Sequence, residues 1–114
     1  MLFRSIFRFR SRVAPEAEAR VALLEQWLTP LSIPWQRDQP AWGGADFGQM
    51  RGLGMPVIDL NHDATRYFDL HHTADDVLEN ADPEDLAFNV AAYVTFVYWA
   101  AESDLAFGPV PPSE

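Results

Sequence analysis

Residues 82–101 set the strongest limit on what this chain can fold into by itself. Asp82-Pro83-Glu84-Asp85 joins an N-cap acid, a proline at the first helical position and acids in the first turn, a strong helix start. Leu86, Val90, Tyr93, Val94, Val97, Tyr98 and Ala101 then place apolar side chains around most of the helix circumference. Such a helix is expected to be largely buried. The rest of a 114-residue chain offers too little to cover it.

The preceding elements read as follows. Residues 7–12 alternate apolar and basic, the pattern of an edge strand. Pro15 suits the first turn of a helix, with Glu16 and Glu18 complementing its dipole. Ala17, Val21, Leu24 and Leu28 share one face of that helix, which should stop before Pro30. Ile33 to Arg37 reads as a short strand, and Pro40 to Gly44 as a loop. Ala45 or Asp46 caps a short helix ending near Gly52, and Met55 to Leu60 is a buried strand by composition. The tail after Phe107 is proline-rich and expected to fray.

Helix, strand, short helix, strand and long helix in this order predict an α/β layer arrangement with parallel strands. Two strands do not make a stable sheet. The under-covered helix points the same way, to a sheet whose other strands lie outside this sequence.

Charge narrows the function classes. A net charge of −9 argues against nucleic acid as the main partner. The charge is uneven: Arg4, Arg8, Arg10 and Arg12 precede the first acid, Glu16, and the chain has no lysine. Residues 1–12 therefore read as a basic arm ahead of an acidic, solvated surface. Met1 to Ser5 also reads as a truncation scar, since Leu2-Phe3-Arg4-Ser5 matches the translated end of a common sequencing adapter. No stretch has the length of a membrane span or the apolar core of a signal peptide. Without cysteine, any metal site must use His, Asp or Glu.

The three histidines, His62, His71 and His72, all fall in or beside one loop after the Met55–Leu60 strand, together with Asp59, Asp63, Asp69, Asp75 and Asp76. Ligands of open α/β sheets sit beyond the carboxyl ends of strands, where this loop begins. Adjacent side chains of His71-His72 point in different directions, so one of them suits a metal better than both, with Asp75 or Asp76 as a support. The residue types alone leave three readings open: a metal site, a capping or salt-linked loop, and metal-free acid–base chemistry. The glycine pairs are too sparse for a phosphate cradle.

Several blocks, taken in order, carry a resemblance. They are Gly43-Gly44-Ala45-Asp46-Phe47, Leu53-Gly54-Met55-Pro56-Val57, Tyr67-Phe68-Asp69-Leu70-His71-His72-Thr73-Ala74-Asp75-Asp76, Asp82-Pro83 and Asn89-Val90-Ala91-Ala92-Tyr93. Over about Val13 to Ala101 the chain resembles the C-terminal part of the zinc exopeptidases that comprise di-zinc aminopeptidases and glutamate carboxypeptidases. Within them it looks nearest to the carboxypeptidase Q (plasma glutamate carboxypeptidase) branch.

The resemblance implies a three-layer α/β/α zinc-peptidase domain with a mostly parallel central sheet. Residues 13–107 would be its C-terminal portion and residues 108–114 a proline-rich tail. It implies that His72, directly before Thr73, is a zinc ligand and that Asp76 supports the loop or that ligand. Tyr67 and Phe68 would border the substrate pocket, and Asp46 would be structural. His62 and His71 are not assigned as ligands. Val77 stands where the family usually has Thr.

The parent would hold two zinc ions and act on peptides or dipeptides from one end, outside the cytoplasm (secreted or periplasmic), without nucleic acid or membrane partners; a homodimer is left open. The family uses five ligands and a general-base glutamate, yet this chain has no Glu-Glu pair and no histidine before His62. It would supply one ligand, no catalytic residue, and no activity by itself. The competing reading is a catalytically inactive peptidase-like module used for interaction.

Overall fold

The computed structural model describes residues 6–62 and 83–112. Strand β1 (Ile6–Arg12) pairs antiparallel with β2 (Val57–His62). Two helices, α1 (Glu18–Leu28) and α3 (Pro83–Glu102), cover one face of this pair, and a four-residue α2 (Gly48–Arg51) lies in the connection between the strands.

The alternating segment is a strand, as its pattern predicts, and its partners place it inside the sheet rather than at its edge. β2 pairs along one side. On the other side, the Phe9 N–H donates to the Pro34 carbonyl at 2.9 Å and the Phe9 carbonyl accepts from Gln36 N–H at 2.8 Å. Residues 6–12, a basic arm by composition, thus form the centre of the small sheet. The Ile33–Arg37 strand reduces to one parallel bridge between Phe9 and Trp35.

Register explains which side chains meet the helices. Phe9 opposes Leu60, and Arg8 and Arg10 oppose Asn61 and Asp59. The register slips between Ile6 and Arg8, leaving Phe7 as an extra residue on β1. That bulge lets Ile6 and Phe9, three apart, both turn into the core, where each is almost fully buried. The alternate face carries Arg8, Arg10 and Arg12.

α1 forms as its periodicity predicts: Val21, Leu24 and Leu28 are buried along it, and Ala17 in the turn before it. The chain leaves α1 through a turn at Thr29–Leu31 that ends on Ser32 in a left-handed conformation. Trp35 then stacks on Phe9 with ring centroids 6.1 Å apart, its indole N–H donating to Ser11 Oγ at 3.1 Å.

α3 departs from expectation. It begins at Pro83 and is long, but of its apolar side chains only Ala92 and Trp99 are fully buried. Phe88, Phe96 and Ala100 pack partly against the core on the same side. Leu86, Val90, Tyr93, Val94, Val97 and Tyr98 are exposed. The helix is apolar around most of its circumference, as its sequence requires, and of these six Tyr98 lies against Trp27 with ring centroids 5.9 Å apart.

Among the described residues, the two strands do not pair in parallel. The ladder between the described strands is antiparallel, and parallel character is confined to the Phe9–Trp35 bridge. The strand that pairs with β2 is Ile6–Arg12, not Ile33–Arg37, because the latter segment meets β1 through that single bridge. The tail is held at Phe107 and Val110: Val110 N–H donates to the Gly54 carbonyl at 2.8 Å, and Ala14 N–H to the Phe107 carbonyl at 2.7 Å.

Candidate functional site

β2 ends at His62 and α3 begins at Pro83, on either side of the segment that carries His71 and His72. His72, Asp76, Tyr67, Phe68 and His71 lie outside the described residues. The described structure shows what holds the residues on either side of that segment.

At the first end, pairing continues to His62, opposite Ile6. The Ile6 N–H donates to Asn89 Oδ1 of α3 at 2.9 Å. One amide side chain of a mostly apolar helix therefore ties α3 to the end of the sheet at which β2 ends. The His62 side chain is exposed overall, yet it faces the apolar outer side of α3 beside Leu86 and Val90. Partial desolvation there lowers its pKa below the ordinary imidazole value.

The glycine block sits on the opposite face of the sheet. Asp59, in the middle of β2, accepts the Trp42 N–H at 2.7 Å and the Gly43 N–H at 3.0 Å. Gly43 and Gly44 both have positive φ, 85° and 83°. A Cβ on Gly43 would fall 2.6 Å from Phe47 Cδ1. The block therefore needs glycine there for space as well as backbone conformation. It leads into a single turn, Ala45–Phe47, and then α2, which ends at Arg51 before Gly52 as expected. Asp46 lies exposed on that turn. The Arg51 guanidinium covers the Trp42 ring at 5.3 Å from its centroid.

In the sequence, Asp59 stands out only as one carboxylate at the end of an apolar run. A sharper signal is present there: a carboxylate in the middle of a half-buried strand needs donors, and two backbone amides of a glycine loop supply them.

Among the described residues no group of three His, Asp or Glu side chains could hold a metal ion. His62 is their only imidazole. They do not fit a zinc centre, so no chemical step is derived from them. No helix among them is long and apolar enough to cross a membrane.

Comparison with known proteins gives a structural match. The chain is similar to the crystal structure of a peptidase M28 precursor from Shewanella amazonensis SB2B, with a TM-score of 0.86 and 36% sequence identity over 96% of this chain. That similarity supports the peptidase M28 family. The chain spans 25% of the length of the M28 relative. No family model matches the chain, and neither does any curated protein. The M28 match accounts for the shape as a fragment of a peptidase domain: two helices on a two-stranded sheet, with an apolar helix face left over.

Proposed function

We propose that this chain is the C-terminal portion of a zinc-dependent exopeptidase and contributes one zinc ligand, His72, to a di-zinc centre. The observation that carries the reading is the 36% identity to the M28 relative across 96% of the chain. The His71-His72-Thr73-Ala74-Asp75-Asp76 block adds chemical detail: an imidazole for a metal and a carboxylate four residues on, suited to orient the loop or the imidazole. The order of the other blocks favours the carboxypeptidase Q branch within that family.

The chain's own contribution is positional. β2 and α3, tied together through Ile6 and Asn89, flank the segment that carries His71 and His72. The glycine block is held to β2 by Asp59. Zinc, when bound in the parent, would polarise a peptide carbonyl and supply an activated water. The remaining ligands and the general base would come from elsewhere in the parent. Its substrates would be peptides or dipeptides, and it would be secreted or periplasmic.

The test is hydrolysis of unblocked and end-blocked peptides by the intact parent with zinc, and after its removal by a chelator. Zinc-dependent release of terminal residues is expected. Cleavage that persists after chelation, or that is internal only, overturns the proposal.

A further inference from the structure

Arg12 and Arg51 line one groove of about 510 Å³, and among the described residues no acidic side chain lines it with them. The chain as a whole carries 17 acidic residues against 8 basic ones. Two cations sharing a cleft with no acid on its walls run against that composition. They create a local positive field in an acidic protein.

Three parts of the fold build the groove. The end of β1 supplies Arg12, and α2 supplies Arg51 with the Gly52–Gly54 turn that follows it. The tail supplies the facing wall, residues 109–112. That wall is fixed in place: Val110 N–H donates to the Gly54 carbonyl at 2.8 Å. A Cβ on Gly54 would fall 3.1 Å from the Val110 carbonyl oxygen, and one on Gly108 would fall 2.9 Å from Pro56 Cδ. Glycine at both positions lets the tail approach this closely.

Arg51 carries the argument. Its guanidinium lies over the Trp42 ring, 5.3 Å from the centroid. Among the described residues it forms no hydrogen bond or ion pair, and its Nε is buried without a partner. A guanidinium has five N–H donors in a planar fork that matches a carboxylate or a phosphate. Here an aromatic face sets the plane of that fork. The neighbouring backbone offers no substitute, because Leu53 N–H donates to the Met50 carbonyl and Gly54 N–H to the Arg51 carbonyl. Recognition of an anion in this groove falls to the two arginine side chains.

We propose that the groove binds a small organic acid, with its carboxylate or phosphate head between Arg51 and Arg12 and its apolar body against Leu53 and the proline wall. Leu53 is 81% exposed and gives the body an apolar edge that an inorganic ion would not use. The site is separate from the chemistry proposed above. Arg12 opposes Val57 at the start of β2, five residues before His62, or about 17 Å along the strand.

The test is calorimetric titration of the intact parent, stripped of zinc by a chelator, with phenyl phosphate, benzoate and inorganic phosphate. Saturable one-to-one binding of phenyl phosphate or benzoate is expected, and the tighter of the two identifies the head group. Inorganic phosphate should bind about threefold or more weakly than phenyl phosphate, because it leaves the apolar wall uncovered. Arg51→Gln and Arg12→Gln should each weaken binding by about tenfold. Leu53→Glu should weaken it as much by setting an acid at the exposed rim. That variant also tests the site without disturbing the contact between Arg51 and Trp42. Four results overturn the proposal: no saturable binding of either aromatic acid, binding indifferent to Arg51→Gln and Leu53→Glu, inorganic phosphate bound as tightly as phenyl phosphate, and binding that requires zinc. Because binding is read on zinc-free protein, absence of hydrolysis would count against the peptidase reading alone.

Discussion

Asp59 holds Gly43 by its backbone: the carboxylate of a β2 residue accepts the glycine N–H at 3.0 Å, and the neighbouring Trp42 N–H at 2.7 Å. Two donors that strand pairing leaves free are satisfied by one charged acceptor. Asp59→Ala is expected to destabilise the chain by about 2 kcal/mol. Asp59→Asn, which keeps one acceptor, should cost less. Urea unfolding of the three proteins measures both.

Gly43 and Gly44 have nearly the same φ but different surroundings. Gly44 has φ 83° and ψ 176°, with nothing within 4 Å of the place a β-carbon would take. Gly44→Ala should therefore cost only the backbone strain of that region, about 1–3 kcal/mol. Gly43→Ala adds a collision with Phe47, whose Cδ1, Cγ and Cβ all lie within 3.0 Å of the new carbon. It should be the more damaging by thermal unfolding, and a reversed order would contradict the geometry.

The two sides of α3 should respond differently. Trp99 is 2% exposed, and its indole N–H donates to the Arg20 carbonyl of α1 at 2.7 Å. Trp99→Ala is expected to cost about 3–5 kcal/mol. Val97→Ala, on the exposed side, should change stability of the 114-residue chain by less than about 0.5 kcal/mol. Denaturant titrations of both variants test the contrast.

The two sides of α3 also show how far the sequence can be read. Circumferential apolarity locates the helix, and the spacing of Ala17, Val21, Leu24 and Leu28 locates the buried face of α1. Neither pattern says which apolar side chains find a partner, because that depends on chain outside the sequence. The strand at Ile6–Arg12 is legible as alternation. Its central place is not, since arginines on one face resemble an edge until the Phe7 bulge and the Pro34–Gln36 pairing are known. For the candidate site, the short helix after the glycine block is legible from composition. The tie from Asn89 to Ile6 joins residues far apart in sequence, and no local pattern encodes it.

Glu25 gives the fold a dependence on acid. Its side-chain hydrogen bond with Arg37 holds its carboxyl below the ordinary value, partial burial opposes this, and the Trp35 N–H adds to the lowering. A carboxyl lowered in the folded state contributes stability that is fully present above its unfolded pKa. That contribution is lost as pH falls through the lowered folded value. Glu25→Gln should flatten the stability profile in this acid range and leave the slope near neutrality unchanged, as measured by urea midpoints across pH.

The central claim, that this chain completes a zinc peptidase through His72, is tested most directly by zinc content and peptide hydrolysis of the intact parent carrying His72→Ala. The account predicts about one zinc ion fewer per chain and a loss of terminal peptide hydrolysis by about two orders of magnitude or more, the consequence of removing a direct metal ligand. Unchanged zinc content and unchanged hydrolysis at saturating zinc would contradict it.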